Sequence, residues 1–388
     1  MAYNRKQRLN DNIKAIETAF ILDREQRTPT ARERLLLERY CGFGGLKCIL
    51  NPARELADAV HWAKSDLELF APTVELHRLI RENSKNESEY KQLMDSLKQS
   101  VLTAFYTPSA ITEALADVLK EHQIIPEKVL EPSAGIGAFV DSVLDNNPKA
   151  DIMAFEKDLL TGKILRHLYP ELKVRIEGFE KIEKPFNDYF DLAISNIPFG
   201  DVAVFDPSYT AMKGMRALVT RRIHNYFFVK ALDTVRDGGL VAFITSQGVL
   251  NAKNNSAARF MMLYHADLVS AIRLPNNLFT ENANTEVGSD LIILQKNSQK
   301  ESLRGDDNLL DTVYNDENRI PTNNYFLEHP ERIIHTTAKL DTDPFGKPAM
   351  IYTHEDGVEG IAEDLRKMLH EDFKKNLNLN RYLGIEET

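Results

Sequence analysis

Cysteine is scarce in this sequence. Only Cys41 and Cys48 occur among the 388 residues, and neither belongs to a paired motif with metal-ligand spacing. A disulfide framework needs several paired cysteines, and a structural zinc site needs closely spaced Cys or His ligands. The sequence therefore predicts no disulfide-based fold and no bound metal.

Long hydrophobic runs are missing as well. No stretch approaches the 18 or so apolar residues that indicate a membrane-spanning helix, and residues 1–6 lack the apolar core of a signal peptide. We therefore expect a cytoplasmic protein that makes no contact with a membrane.

An excess of positive charge is the third feature that the sequence lacks. Acidic residues outnumber basic ones by 58 to 48, which gives a formal net charge of -10. This balance argues against a strongly basic protein that coats nucleic acid, although an acidic protein can still contain a local basic cleft. The length allows two domains, or one domain with substantial additions.

The hydrophobic pattern divides the chain into three parts. Residues 1–100 predict a helical N-terminal extension, in which the charged segment from Asp66 to Lys98 is expected to be a solvated helical arm. Residues 101–297 alternate short apolar runs with amphipathic helical stretches, which predicts a doubly wound, Rossmann-like α/β sheet. Residues 298–388 are expected to form a small C-terminal appendage.

Seven strands are predicted in the α/β part. They are residues 128–130, 151–155, 173–176, 190–195, 240–245, 269–272 and 291–295. The last one follows a hairpin-like stretch from Thr285 to Asp290, so we expect the sheet to have an antiparallel edge strand.

A glycine motif follows the first predicted strand. The sequence Glu131-Pro132-Ser133-Ala134-Gly135-Ile136-Gly137 leads from this strand into a helix. Glycines allow backbone N–H groups to approach a ligand closely, and the start of a helix favours a carboxylate. A dinucleotide fingerprint has a third glycine where this chain has Val140. The motif therefore counts against a pyrophosphate ligand, and a structural turn is its alternative interpretation.

Acidic residues complete this predicted site. Glu156 lies nineteen residues after Gly137, at the end of the next strand, where a carboxylate can bind ribose hydroxyls. Glu131 could meet an ammonium group of the ligand. A nucleoside that carries an amino acid, S-adenosylmethionine, matches these groups better than a dinucleotide does. After the third strand, Glu180 or the backbone near Phe179 could read an adenine edge.

A second motif lies at the end of the fourth strand. In the sequence Ser195-Asn196-Ile197-Pro198-Phe199-Gly200, the polar Asn196 lies where the strand ends, and Pro198 and Gly200 then interrupt regular structure. The Asn196 side chain and a neighbouring carbonyl can accept hydrogen bonds from an exocyclic amino group, and Phe199 offers a face for a planar ring. The alternative is a strand-ending turn whose Phe packs into the core.

The order of these motifs resembles a known enzyme family. Phe105-Tyr106-Thr107-Pro108, then the glycine motif, then Asn196-Ile197-Pro198-Phe199 is similar to the gamma-class DNA methyltransferases that act on adenine N6. The resemblance extends to about residue 295 and covers roughly half of the chain. More loosely, the helical leader with Tyr40-Cys41-Gly42-Phe43-Gly44-Gly45 looks like methylase modules of phage and mobile-element proteins, which are often joined to a helicase.

The resemblance implies a set of site residues. Asn196, Ile197, Pro198 and Phe199 would be catalytic, with Phe199 stacked on an adenine flipped out of the duplex. The cofactor S-adenosylmethionine would be held by Tyr106, Thr107, Pro108, Glu131, Pro132, Ser133, Ala134, Gly135, Gly137, Phe139, Glu156, Lys157, Phe179, Glu180 and Asn196. DNA would be the substrate, and a specificity or helicase protein is a candidate partner.

The sequence departs from the family in two places. The family usually has Pro where this chain has Ile197. Ile also has the backbone carbonyl, but it lacks the fixed φ of Pro. A sizeable recognition domain commonly follows the catalytic half, whereas only about 90 residues follow it here, and their acidic composition is not that of a DNA-reading domain. The basic run that contains Arg216, Arg221 and Arg222 could contact phosphates instead, or it could be a solvated loop.

Two other functions remain open at this point. A protein glutamine methyltransferase uses the same hydrogen bonding to an amide nitrogen, although such enzymes more often end this motif with Tyr. A non-catalytic, cofactor-binding DNA protein, such as an anti-restriction module, is the other alternative, and Ile197 is part of its support.

Overall fold

A computed structural model describes residues 4–280, 286–303, 307–314, 319–343 and 346–385. Its central element is a seven-stranded sheet with the order β3-β2-β1-β4-β5-β7-β6. The strands are β1 (Lys128–Glu131), β2 (Asp151–Phe155), β3 (Lys173–Arg175), β4 (Phe190–Asn196), β5 (Val235–Ser246), β6 (Ala266–Leu274) and β7 (Ser289–Lys296). Strands β1 to β5 pair in parallel, and β7 is antiparallel to both β5 and β6.

The predicted doubly wound sheet is confirmed. Each predicted strand overlaps an observed one, and the antiparallel strand is β7, which pairs with the outermost strand β6 on its far side. Thr285 of the hairpin-like stretch lies outside the described residues. The strands were readable because a strand that is buried on both faces forms a nearly continuous apolar run.

Helices surround this sheet. They are α1 (Arg5–Glu25), α2 (Ala31–Glu38), α3 (Phe70–Glu82), α4 (Glu87–Thr103), α5 (Ser109–Glu121), α6 (Ala138–Asn146), α7 (Leu159–Leu168), α8 (Pro207–Thr210), α9 (Met215–Val219), α10 (Ile223–Thr234), α11 (Gly248–Asn251), α12 (Ser256–His265), α13 (Asn324–Glu328), α14 (Gly357–Asn376) and α15 (Leu379–Leu383). Two hydrophobic clusters divide between the faces of the sheet: Ile194 belongs to the first and its neighbour Ala193 to the second. Alternation along a strand therefore gives each face its own core.

Local capping fixes several helix starts. Thr30 and Glu33 form a capping box at α2, in which each side chain bonds the other's backbone N–H. Asp158 caps α7, because its side chain accepts the Leu160 N–H. Helix α6 begins directly after Gly137. The ends of the helices that border the glycine motif are therefore specified locally.

The prediction of a solvated arm at residues 66–98 is wrong. Helices α3 and α4 bury Leu76, Ile80 and Leu97 in the first cluster. The Ser96 hydroxyl also donates to the carboxylate of Asp158, at the start of α7. The charged residues occupy only the outer faces, and the narrow apolar stripe between them is covered by the rest of the protein.

The C-terminal part adds two pairs of short strands, two short helices and one long helix. Strands β8 (Thr312–Tyr314) and β9 (Pro321–Asn323) form one antiparallel pair, and β10 (Thr337–Thr342) and β11 (Pro348–Thr353) form another. Helix α14 packs on α5 and β6, and its Leu365 and Leu369 lie in the first cluster. The division of the chain into three domains stays a prediction. Among the described residues, no helix combines the length and apolarity that crossing a membrane requires.

Candidate active site

The glycine loop joins β1 to α6 in a conformation that only glycine adopts easily. Gly135 has a φ of +56° and Gly137 a φ of +89°. A Cβ on Gly135 would lie 2.8 Å from Cε1 of Tyr106, and one on Gly137 would lie 2.5 Å from Cε2 of Tyr169. Both positions are therefore needed for close packing as well as for the turn.

Glu131 is a buried carboxyl at the end of β1. Its side chain is only 1% exposed, and Oε1 accepts the Ser133 N–H at 3.1 Å. Oε2 has no hydrogen-bond partner in the described part of the chain. Burial raises the pKa of Glu131 to about 8. A buried carboxyl with one unsatisfied oxygen fits the ammonium group of an amino-acid ligand, because the opposite charge would compensate its desolvation.

Glu156 follows β2 and is held by two backbone groups. Its Oε2 accepts the Gly135 N–H at 2.8 Å, and its Oε1 accepts the Asp158 N–H at 2.8 Å. Burial raises the pKa of Glu156. Each oxygen keeps a second lone pair, so the carboxylate fits two ribose hydroxyls without giving up these bonds.

Asn196 ends β4 and is oriented by the segment before α5. Its Nδ2 donates to the Phe105 carbonyl at 2.8 Å. The amide oxygen Oδ1 is consequently the group left to accept from a substrate. Ser195 supports the same region, since its Oγ lies 3.5 Å from the Ser133 carbonyl of the glycine loop.

The next residues of this turn differ in burial. Ile197 is buried in the second cluster, and its N–H donates to the Ile244 carbonyl at 3.0 Å. Pro198 and Phe199 are partly buried, and Phe199 packs against the first cluster. Stacking of Phe199 on a substrate base stays a prediction, since its ring is neither fully buried nor free of the core.

The predicted motifs meet at one place, although they are far apart in sequence. Asn196 contacts Phe105, the neighbouring Tyr106 packs on Gly135, and Gly135 bonds Glu156. These groups lie at the carboxyl ends of β1, β2 and β4, where α/β proteins bind ligands. The contacts form one continuous path from the Asn196 turn to the glycine loop.

Other expected cofactor residues lie around this path. Thr107 is buried with no partner for its hydroxyl among the described residues, and Pro108 precedes α5. Pro132 and Ala134 are buried within the glycine loop. The rings of Phe139 and Phe179 pack in the two hydrophobic clusters, so only their backbones remain available to a ligand.

Lys157 and Glu180 lie on the outer side of the site. The exposed ammonium of Lys157 is 4.0 Å from a carboxylate oxygen of Glu180. The Glu180 carboxylate also lies so close to Gly178 that a Cβ there would be 2.2 Å from Oε2. A residue with a Cβ at position 178 would therefore displace the Glu180 carboxylate.

Sequence reasoning missed the contribution of the N-terminal loop. Gly42 has a φ of +67°, and a Cβ on it would lie 2.5 Å from the Ala104 Cβ and 3.0 Å from the Tyr106 hydroxyl. The buried amide of Asn12 fixes this loop, because Nδ2 donates to the Gly42 carbonyl at 2.6 Å and Oδ1 accepts the Cys41 N–H at 2.9 Å. Tyr106 is thus clamped between Gly42 and Gly135. The glycine cluster at 42–45 was the available signal.

The three arginines expected at phosphates have different surroundings. Arg216 makes a bidentate pair with Asp233, at 2.7 and 3.0 Å, and Arg222 pairs with Asp201 at 2.5 Å. Arg221 is exposed, and its guanidinium has no partner in the part of the chain that the structure describes. Phosphate contact stays a prediction for all three.

Comparison with known proteins identifies the family. Residues 88–387 match the N-6 DNA methylase family. The chain belongs to this family. The resemblance inferred from the motifs is therefore confirmed at family level, and membership implies a methyltransferase that uses S-adenosylmethionine. Among the described residues, no group of three or more His, Cys, Asp or Glu side chains could hold a metal ion.

Individual relatives of this methylase chain cover only parts of it. It is 29% identical over 201 residues to the "Defense against restriction protein B" of Escherichia phage P1, a match of 50% of this chain and 8% of that protein. It is 25% identical over 173 residues to the type II methyltransferase M.XamI of Xanthomonas campestris pv. amaranthicola, covering 41% and 33%. The chain thus spans a third or less of these relatives.

A solved structure is similar over a longer stretch. The methyltransferase subunit of a type I restriction-modification system from Streptococcus thermophilus is 13% identical, with a TM-score of 0.44, over 98% of this chain and 94% of that one.

Proposed function

We propose that this protein transfers the methyl group of S-adenosylmethionine to the N6 amino group of adenine in DNA. The observation that carries the proposal is the bond from Asn196 Nδ2 to the Phe105 carbonyl. It fixes the amide at the sheet edge and leaves Oδ1 as an acceptor next to the glycine loop.

The residues that would hold the cofactor are those whose geometry fits it. Glu131 offers the unsatisfied Oε2 to the ammonium group, and Glu156 offers its remaining lone pairs to the ribose. The backbone between Gly135 and Gly137 can approach closely because neither residue has a Cβ. When bound, S-adenosylmethionine supplies an electrophilic methyl group on a positively charged sulfur.

The Asn196 turn prepares the adenine nitrogen. The N6 lone pair is normally delocalised into the ring, which makes the amino group a poor nucleophile. In the proposal, Asn196 Oδ1 and the Ile197 carbonyl each accept one N6–H, which holds the nitrogen in a tetrahedral geometry with its lone pair toward the methyl carbon. Bound S-adenosylmethionine would give its methyl group to N6, with the C–S bonding electrons leaving on sulfur, and N6 would then lose a proton to solvent. Positioning of the two reactants supplies most of the rate.

The base must leave the duplex to reach this turn. Flipping costs a few kcal/mol of unstacking and unpairing. Stacking on Phe199 would return about 1–3 kcal/mol, as base–aromatic contacts do in single-strand binding proteins. We also propose a specificity or helicase protein as partner, since two of the three arginines expected at phosphates already pair with aspartates.

Product analysis tests this function. Unmethylated plasmid DNA is incubated with the protein and methyl-deuterated S-adenosylmethionine, then digested to nucleosides for mass spectrometry. Labelled N6-methyldeoxyadenosine is the expected product. In a parallel incubation with cell-extract protein in place of DNA, label on a glutamine would instead support the glutamine methyltransferase. No label despite measured cofactor binding would support a non-catalytic anti-restriction module, the function suggested by the name of the phage P1 relative.

A further inference from the structure

The chain between the Asn196 turn and α10 has an unusual distribution of side chains. This segment, residues 201–222, is here called the post-turn loop, and it contains α8 and α9. Several of its large apolar side chains face outward: Phe205 is 78% exposed, Val202 61% and Met212 55%, whereas Tyr209 and Val219 are buried in the second cluster. Met215 and Leu218 of the same loop are also exposed. Clustered apolar side chains on a surface mark an interaction site.

Some polar side chains of the post-turn loop are turned inward, whereas Lys213 and Arg221 are exposed. Asp206 is buried and accepts hydrogen bonds from the Tyr226 hydroxyl at 2.6 Å and from Lys230 Nζ at 3.2 Å, both on α10. Asp233, near the end of α10, accepts from the Tyr209 hydroxyl at 2.5 Å and from Arg216. These bonds attach the loop to α10 by its polar side.

The two arms of the loop are also joined. The Val204 N–H donates to the Thr220 carbonyl at 2.8 Å. The loop is therefore a closed excursion that is fixed at its base. This polar framework holds Val202, Phe205 and Met212 at the surface.

The charge of the loop distinguishes nucleic acid from an apolar protein partner. The loop carries four basic and two acidic residues on a chain whose formal net charge is -10. Both acidic residues are neutralised, because Asp201 pairs with Arg222 and Asp206 with Lys230. The exposed Lys213 and Arg221 therefore determine the sign of its outer surface. A cleft of about 330 Å³ opens beside Leu218, Arg221 and Asn254, which gives this surface an apolar and a cationic side.

We propose that the post-turn loop inserts Phe205 and its apolar neighbours between base steps of duplex DNA beside the target adenine, while Lys213 and Arg221 contact the phosphates. Phe, Met and Leu are the side chains that serve as wedges in other DNA-bending proteins. Phe205 follows Phe199 by six residues, so the chain keeps their Cα atoms within about 20 Å of each other, which is within reach of the base pairs that flank the target. This inference rests on the proposed DNA substrate and assigns the element that opens the duplex.

Two variants and a control test the wedge. Phe205→Ala removes the ring, Phe205→Leu keeps an apolar wedge, and Leu56→Ala removes a side chain that is 85% exposed in the N-terminal part. Affinity is measured by fluorescence anisotropy on a fluorescein-labelled duplex of mixed sequence and on its single strand. Cofactor affinity, measured by calorimetry, and thermal unfolding check that each variant keeps its fold.

The expected result is selective for the duplex. Phe205→Ala should bind duplex about tenfold more weakly, the equivalent of about 1.4 kcal/mol, and single strands almost normally, since only the duplex has a stack to open. Phe205→Leu should lose less, and Leu56→Ala nothing. Arg221→Ala should weaken both forms and reduce the slope of log affinity against log salt by about one.

Other outcomes would overturn the wedge. An unchanged duplex affinity for Phe205→Ala would do so, and so would an equal loss on duplex and single strand. Neither depends on methyl transfer, so a wild-type protein that binds duplex through Phe205 but transfers no methyl group would contradict the proposed function and leave the loop assignment standing.

Discussion

At the scale of single residues, the Glu131 carboxylate that is proposed to bind the cofactor also lowers the stability of the fold at neutral pH. Its folded pKa of about 8 lies well above the ordinary value of 4.5. Between these two values the folded protein binds more protons than the unfolded chain, so the contribution of Glu131 to the free energy of unfolding falls as pH rises from about 4.5 to 8. The carboxyl is thus kept at a cost that a bound ammonium group would offset.

Glu131→Gln should therefore be more stable than wild type at pH 8 and about equally stable at pH 4.5, because the amide does not ionise. The same variant should bind S-adenosylmethionine at least tenfold more weakly, since it lacks the negative charge. Urea unfolding at several pH values and calorimetry check the two effects. A variant whose stability follows the wild-type pH profile would contradict this account of Glu131.

Gly135 offers a second residue-scale test. Gly135→Ala should weaken cofactor binding at least tenfold, because the new Cβ would lie 2.8 Å from the Tyr106 ring and shift it. Gly384→Ala is the matched control, since Gly384 also has a positive φ but has open space around its Cβ. Both substitutions carry a left-handed backbone cost of about 1–2 kcal/mol. Equal cofactor affinity in the two variants would show that the contact with Tyr106 is unimportant.

At the scale of elements, β4 extends further than a family-like Pro would allow. The Ile197 N–H donates to Ile244 of β5, and Pro has no N–H to give. The fixed φ that the sequence lacks at this position is thus replaced by a ladder hydrogen bond and a buried side chain. The carbonyl needed by the proposed chemistry is held by pairing within the sheet.

Ile197→Pro should consequently lower the free energy of unfolding by about 1–3 kcal/mol, the cost of leaving the buried Ile244 carbonyl without its donor. It should give no gain in methyl transfer. Ile197→Val keeps the N–H and should cost about 0.5–1.5 kcal/mol. Urea unfolding of both variants tests this explanation. A Pro variant as stable as wild type would show that the hydrogen bond from Ile197 to Ile244 does not stabilise the turn.

Elements were easier to predict than the contacts between them. The strands, the glycine loop and the Asn196 turn follow from local patterns: apolar runs, glycine spacing and turn residues. The bond from Asn196 to Phe105 joins residues that are 91 positions apart, and Gly42 and Tyr106 are 64 positions apart. No local pattern encodes such pairs. The packing of α3 and α4 was also misjudged. Their charged outer faces dominate the composition, and the surfaces that cover their apolar stripe come from distant parts of the chain.

At the scale of the whole molecule, the part outside the family match supports the site. The match begins at residue 88, yet side chains of α1 and α3 share the first cluster with the sheet. Asn12 of α1 also fixes the loop that packs on Tyr106. The position of Tyr106, which packs on the glycine loop, therefore depends on residues that precede the matched region.

The chain should accordingly unfold in a single cooperative transition. Differential scanning calorimetry should give a calorimetric enthalpy close to the van't Hoff enthalpy, and S-adenosylmethionine should raise the temperature of the whole transition. Two transitions, of which only one responds to the cofactor, would instead show that the N-terminal helices are an independent domain.

The most direct test of the central claim is methyl transfer by Asn196→Ala. Incorporation from radiolabelled S-adenosylmethionine into unmethylated duplex DNA is compared for wild type, Asn196→Ala and Asn187→Ala, an exposed asparagine used as control. We expect wild type and Asn187→Ala to incorporate label. With saturating cofactor, Asn196→Ala should be slower by about a hundredfold or more, as when one transition-state hydrogen bond is removed. Transfer by Asn196→Ala at the wild-type rate would contradict the assignment of the chemistry to this turn.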